Sequence, residues 1–127
     1  MEEIIANVNW IAVVVGAVVS FALGWLWYSP KMFGEKWLHG IGISFDDQTS
    51  MMPAMITQIV GTFLFAWVIG LTATTDSLLT AILITLTIAV LIKANGLFSK
   101  KSHYAIKVEV GFIIVMAIIM IATHAVI

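Results

Sequence analysis

Four long stretches of this chain contain no charged side chain, and this feature restricts its fold more than any other. The stretches cover residues 4–30, 48–75, 77–92 and 110–127. A helix rises about 1.5 Å per residue, so about 20 apolar residues cross the roughly 30 Å of hydrocarbon in a bilayer. We therefore expect four membrane-spanning helices. The last two stretches reach spanning length if Lys93 and Glu109 lie near the edge of the membrane.

The composition agrees with a membrane protein and excludes several other classes. Hydrophobic residues make up 61% of the chain and charged residues 10%, whereas a soluble domain has about 45–50% and about 25%. These values exclude a water-soluble enzyme and a disordered chain. The net charge is −1 and no arginine is present, so we expect no nucleic-acid partner. The chain has no cysteine, which removes disulfides, thiolate metal sites and cysteine nucleophiles.

The hydrophobic pattern predicts an all-α membrane protein, a compact bundle of four transmembrane helices in a single domain over residues 1–127. The predicted helices cover about 8–29, 52–73, 77–98 and 104–127. We expect the first helix to be retained in the membrane. The reason is that the chain begins with Met1, Glu2 and Glu3 and lacks the basic segment of a signal peptide.

The connection between the first two helices predicts a short amphipathic segment at the membrane surface. Its apolar residues recur at helical spacing, and they are Met32, Phe33, Trp37, Leu38 and Ile41. After this segment, Ser44 with Asp46 and Asp47 is typical of an N-cap and an acidic first turn. The second helix then begins near Phe45 with Pro53 as a kink, or it begins at Pro53 itself.

The lysines predict the orientation of the helices. All six fall in or beside the connections that follow the first and the third helix. Lysine in short connections stays on the cytoplasmic side of a membrane. Both termini, together with Glu2, Glu3 and Asp76, are therefore predicted on the non-cytoplasmic side.

Small residues at intervals of four predict where the helices pack, because close approach replaces the hydrophobic effect inside a bilayer. The predicted packing positions are Ala12, Gly16, Ser20 and Gly24 on the first helix, Thr62, Ala66 and Gly70 on the second, and Ala81, Thr85 and Ala89 on the third. On the fourth helix the small residues are scattered among isoleucines. We expect that helix to be peripheral or to contact another subunit.

Gln58, Lys93 and Glu109 form a candidate polar cluster inside the membrane, near its cytoplasmic side. Lys93 and Glu109 are equally far from the turn that joins the last two helices, so an antiparallel hairpin brings them to a similar depth. An ionisable residue inside a membrane is a functional candidate because it is costly there. The cluster is either a salt bridge that fixes the hairpin, with Lys93 extending to the headgroups, or a polar relay open to the cytoplasm. We favour the salt bridge.

A second candidate polar cluster lies on the opposite side of the membrane and contains Asn7, Asn9 and His124. Histidine titrates near neutral pH, so a pH-sensitive contact is one interpretation. We favour the simpler one, in which the asparagines cap the first helix and His124 lies at the membrane interface.

No catalytic or metal-binding arrangement follows from the sequence. His39 and His103 share a side with Asp46 and Asp47, but no HExxH pattern or close histidine spacing supports a metal site. The sequence also lacks a nucleophile elbow and a phosphate-binding glycine loop. We therefore expect no catalytic residue, no cofactor, no metal and no enzymatic activity.

A recognisable motif lies at the end of the first helix. Residues 24–30 are Gly-Trp-Leu-Trp-Tyr-Ser-Pro, preceded by Asn9 and followed by Phe33, Gly34 and Trp37. This resembles the small bacterial membrane proteins of domain of unknown function 1761, which carry an Asn near the outer end of the first helix and a Gly-x-x-Trp-Tyr-Ser…Phe-Gly…Trp signature. The resemblance implies a four-helix protein of the bacterial inner membrane with no established activity. From their chemistry alone, four aromatic residues here are expected to anchor the chain at the interface: Trp27, Tyr28, Phe33 and Trp37.

Two functions are compatible with these features. The first is a non-enzymatic membrane module that contacts lipid and assembles as a homo-oligomer, through the fourth helix and the amphipathic connection. The second is a small channel or proton-coupled transporter that uses Gln58, Lys93 and Glu109. We favour the first, because the middle of the first and fourth helices offers few polar side chains to a solute. The sequence does not identify a protein partner.

Overall fold

The computed structural model describes residues 2–29, 32–42 and 52–127, and this part of the chain is 84% helical without strands. Its helices are α1 (Glu2–Ile5), α2 (Trp10–Trp27), α3 (Gly34–Gly40), α4 (Met52–Thr74), α5 (Leu78–Phe98) and α6 (His103–Val126). Four of them, α2, α4, α5 and α6, are long and apolar enough to cross a membrane. The predicted all-α architecture with four spans is therefore confirmed. No observed span differs from its predicted limits by more than two residues at either end.

Local sequence determines where the helices begin. Asn9 precedes α2, and its side-chain oxygen accepts a hydrogen bond from the Ala12 N–H at 3.1 Å. Ser102 does the same for α6, accepting from the Ala105 N–H at 3.0 Å. Both are N-caps that satisfy a backbone donor left free by the helix. Pro53 lies in the first described turn of α4, whereas the predicted cap at Ser44, Asp46 and Asp47 falls outside the described residues.

The two turns on either side of α5 have the same geometry. In the first, the Ser77 N–H donates to the Thr72 carbonyl at 2.9 Å, and in the second the Lys101 N–H donates to the Gly96 carbonyl at 3.0 Å. Asp76 and Lys100 precede these donors in the left-handed conformation, with φ of 51° and 58°. This is the Schellman arrangement, which ends a helix and reverses the chain within a few residues. It makes α5 antiparallel to both α4 and α6.

The bundle has two chemically different ends. At the end that we call the acidic end, Trp67 near the end of α4 donates from its indole N–H to the Ile4 carbonyl at 2.6 Å. Glu2, Glu3 and Asp76 also lie at this end. The opposite end, which we call the lysine end, contains α3 and the α5–α6 turn, joined by a hydrogen bond from the Ser102 N–H to the Gly40 carbonyl at 2.9 Å. Its described lysines are Lys36, Lys93, Lys100, Lys101 and Lys107.

The prediction that the last helix is peripheral is wrong. Helix α6 packs against α2, α3, α4 and α5, and it is the most buried of the four spans. Its buried residues are Ala105, Ile106, Val108, Phe112, Met116, Ala117, Met120 and Thr123. The last helix is therefore the centre of the bundle.

The central position of α6 follows from its large side chains, which fill recesses left by small residues on its neighbours. A Cβ atom added to Gly24 would lie 2.7 Å from the Phe112 ring, and one added to Gly16 would lie 3.5 Å from Met120. Of the ten predicted packing positions on the other spans, nine are buried and Gly24 is partly buried. Close packing of this kind holds helices together in lipid. The spacing of small residues therefore predicts where the recesses lie, but it does not predict that the large side chains of α6 fill them.

Candidate functional site

The candidate site is centred on Glu109, a charged side chain in the second turn of α6 at the lysine end. The Lys101 ammonium lies 3.0 Å from both carboxylate oxygens. The Trp37 indole N–H donates to Oε2 at 2.8 Å. The Glu109 side chain is 14% exposed and that of Lys101 is 26% exposed, so the pair is neither fully buried nor freely solvated. We refer to Glu109, Lys101 and Trp37 as the Glu109 latch.

Helix α3 places Trp37 beside Glu109. Leu38 is 3% exposed and fixes the inner face of α3. At its start, Gly34 packs so tightly on the Tyr28 backbone carbonyl that any Cβ atom would collide with it. At its end, the Gly40 carbonyl accepts the hydrogen bond from Ser102. These contacts hold α3 across the lysine end of the bundle as a strap.

A cluster of aromatic rings packs against Trp37 of the latch. The rings of Tyr28 and Trp37 are 4.6 Å apart, those of Trp27 and Phe33 are 4.8 Å apart, and Tyr28 also contacts Phe112 at 5.4 Å. The Trp27 indole N–H donates to the Val108 carbonyl of α6 at 3.1 Å. The interfacial role expected for Trp27, Tyr28, Phe33 and Trp37 stays a prediction. What the structure adds is that all four have partners within the chain.

The environment of Tyr28 favours its neutral form. Burial raises the pKa of the Tyr28 phenol, and the nearby negative charge of Glu109 raises that pKa further. The phenol is therefore protonated at physiological pH.

The structure does not join Gln58, Lys93 and Glu109 by hydrogen bonds or ion pairs. Glu109 pairs with Lys101 instead, and Lys93 is exposed on α5. Gln58 is also exposed, and its amide N–H donates to the Thr62 hydroxyl at 3.1 Å. The position of Lys93 and Glu109 relative to the turn predicts that they lie at a similar depth, but it does not decide which lysine pairs with Glu109. Lys101 lies in the turn itself, and its side chain is long enough to reach the carboxylate. Trp37 was predicted as an interfacial anchor but not as a partner of Glu109, because the two residues are 72 positions apart in the chain. The only feature that pointed to this role was an indole N–H donor at the lysine end.

The second predicted cluster is also dispersed. Asn9 caps α2, which agrees with the simpler interpretation, and Asn7 is in a left-handed turn with φ of 65°. The His124 ring lies in the last turns of α6 against Gly70 of α4. Within the described ranges no hydrogen bond links the three residues. Beside His124, however, the bundle leaves a cavity of about 300 Å³ at the acidic end.

The described residues contain no group of three His, Asp or Glu side chains that could hold a metal ion. His39 and His103 are both exposed at the lysine end. Asp46 and Asp47, which completed the metal site considered from the sequence, fall outside the described residues.

Comparison with known proteins gives one match. A family model described as a protein of unknown function, DUF1761, matches residues 11–125. The chain belongs to this family. The match includes all four spans, so the DUF1761 assignment extends well beyond the motif near Trp27 on which the resemblance is based. No curated protein and no solved structure matches the chain.

In this DUF1761 protein the contacts of Glu109 indicate that its carboxylate holds neighbouring parts of the chain together. Both of its oxygens are engaged by Lys101, and Oε2 also accepts from Trp37. Charge-assisted hydrogen bonds of this kind are stronger than neutral ones. The latch therefore connects three separate parts of the chain: the strap α3, the α5–α6 turn and α6.

Proposed function

We propose that this protein is a non-enzymatic module of the bacterial inner membrane that works by self-association, with both termini on the non-cytoplasmic side. The observation that carries the proposal is the exposed Gln58 carboxamide on the spanning helix α4. A carboxamide in contact with hydrocarbon is costly, and in membranes such groups bond to neighbouring helices. A second copy of the chain provides that neighbour.

The surroundings of Gln58 favour close approach of another helix. Ala54, Thr57, Gln58 and Gly61 share one face of α4, at spacings of three and four residues. All four are exposed, and a Cβ atom added to Gly61 would meet nothing within 4 Å. The packing among the residues that the structure describes therefore does not use this recess. We call these four residues the Gln58 face.

The chemistry of the Gln58 face fits a twofold-symmetric pair. One Gln58 N–H donates to Thr62 within the chain, but a carboxamide has a second N–H and a carbonyl oxygen, and with these two Gln58 side chains pair across a twofold axis. An interhelical hydrogen bond in a membrane contributes about 0.6–2 kcal/mol. That value is small, so packing at Gly61 has to contribute as well. The partner surfaces expected from the sequence are different, but the buried faces of α3 and α6 are already occupied within the chain.

The absence of cysteine from the chain permits a clean test by disulfide cross-linking. With Gly61→Cys in native membranes, we expect mild oxidation to give a covalent dimer. Leu83→Cys, on an exposed face of α5 (65% exposed), is the matched control and should stay monomeric. Adding Gln58→Leu to Gly61→Cys should reduce the dimer several-fold, whereas Gln58→Asn should retain part of it. Equal cross-linking at positions 61 and 83, or none at 61, would contradict the proposal.

A channel or proton-coupled transporter is the alternative, and the contacts of its polar side chains count against it. The hydroxyls of Thr85 and Thr87 donate to the Ala81 and Leu83 carbonyls of their own helix, each at 2.8 Å. Glu109 is engaged by the latch. Solute flux in liposomes that Glu109→Gln abolishes without unfolding the protein would favour this alternative.

A further inference from the structure

The cavity at the acidic end lies where α4, α5 and α6 meet. It is open to the surface and has a volume of about 300 Å³, whereas an enclosed engineered cavity of about 150 Å³ in another protein holds benzene. It is therefore large enough for a small organic molecule. Its accessible apolar wall includes Leu78, Ile121 and Ala125, whereas the lining residues Ile69 and Ala81 are buried in the core.

Three side chains around this cavity can accept hydrogen bonds, and Ser77 at the start of α5 also lines it. Asp76 contributes a carboxylate, and the Schellman turn fixes its backbone. The Thr72 hydroxyl gives its proton to the Ile69 carbonyl at 2.6 Å, so its oxygen is left to accept. His124 lines the cavity, and its Nε2, buried against Gly70, has no hydrogen-bond partner in the part of the chain that the structure describes. Buried polar atoms without a partner are rare in folded proteins.

The charges at this end of the molecule favour a cation. Glu2, Glu3 and Asp76 are acidic, and all lysines of the sequence lie in or beside the connections at the opposite end. The helix dipoles do not alter this balance, because the C-terminal ends of α4 and α6 are matched by the N-terminal ends of α2 and α5. The field of the acidic end as a whole therefore attracts positive charge.

We propose that this cavity binds a primary ammonium group, with Asp76 as the counter-ion, the ring of His124 and the Thr72 hydroxyl beside it, and a short hydrocarbon chain on Leu78, Ile121 and Ala125. An ammonium group has three donors and no acceptor, which complements a set of acceptors. The remaining volume accommodates the attached carbons. Such a group occurs in free alkylamines and in the phosphatidylethanolamine headgroup.

The test uses hexylammonium and the neutral 1-hexanol, which share a hydrocarbon chain. In nanodiscs of phosphatidylglycerol, we expect saturable binding of hexylammonium to the full chain by calorimetry, and weaker binding of hexanol. Asp76→Asn should reduce the affinity about fivefold, the loss expected for a partly exposed ion pair. Asparagine tolerates the left-handed conformation at this position. Glu3→Gln removes an acidic charge outside the cavity and should leave the affinity unchanged.

A second measurement identifies the source of the ammonium. If the natural ligand is the lipid, phosphatidylethanolamine in the nanodiscs should compete and lower the apparent affinity for hexylammonium, and if it is a free amine the affinity should not change. Equal binding of hexylammonium and hexanol would overturn the proposal, as would equal effects of Asp76→Asn and Glu3→Gln. Absence of saturable hexylammonium binding would overturn it too. None of these results depends on whether the chain forms dimers.

Discussion

The hydrogen bond from Trp37 to Glu109 permits a quantitative test of the latch. Trp37→Phe keeps an aromatic ring against Tyr28 and removes only the indole N–H that lies 2.8 Å from Oε2. A hydrogen bond to a charged group contributes about 1.5–3 kcal/mol to stability. We expect Trp37→Phe to lower the free energy of unfolding by about 2 kcal/mol. Glu109→Gln should lower it by about 1–2 kcal/mol, because the carboxamide oxygen can still accept a weaker, neutral hydrogen bond from Trp37 while the partly exposed pair with Lys101, which contributes about 1 kcal/mol or less, is lost.

The double variant provides the decisive comparison. If Trp37 and Glu109 stabilise the same contact, combining Trp37→Phe with Glu109→Gln costs less than the sum of the two changes, with a coupling energy of about 1 kcal/mol, the difference between a charged and a neutral hydrogen bond. Unfolding by dodecyl sulfate in mixed micelles, followed by far-ultraviolet circular dichroism, gives all three values. Trp25→Phe is the control, because Trp25 is 70% exposed, and it should change stability by less than about 0.5 kcal/mol. Strict additivity would refute the latch.

Two further substitutions test the turns and the strap. Gly34→Ala forces a methyl group into the Tyr28 carbonyl, so it should detach α3 and lower the free energy of unfolding by about 1–3 kcal/mol. Proteolysis of residues 32–42 should become faster while the four spans stay intact, and an unchanged rate would contradict the described packing. Lys100 adopts the left-handed conformation with φ of 58°, which glycine adopts more readily than alanine, so Lys100→Gly should be about 1 kcal/mol more stable than Lys100→Ala. Equal thermal midpoints for the two variants would count against that conformation.

The spans and their order could be predicted from the sequence because lipid imposes one strong requirement. Uncharged stretches of about 20 residues have few alternatives to a spanning helix. The cap at Asn9 involves residues only three apart in the chain, so local chemistry is sufficient to predict it. The stripes of small residues were visible for the same reason, since their spacing is fixed by the helix itself.

The arrangement of the helices and the contacts of Glu109 could not be predicted in this way. Phe112 and Met120 meet Gly24 and Gly16 across more than eighty residues of chain, and the rotation of each helix about its axis decides such contacts. A large apolar side chain has the same hydropathy whether it faces lipid or a neighbouring glycine. The choice of Lys101 over Lys93 as the partner of Glu109 depends likewise on the shape of one turn.

The central position of α6 has a consequence for biogenesis. Since α6 follows the other spans along the chain, the recesses at Gly16 and Gly24 lack Met120 and Phe112 until α6 has been synthesised. Assembly of the bundle is therefore completed by α6, and a nascent chain that stops after α5 has the contact between α2 and α4 but lacks the α6 side chains that complete the core.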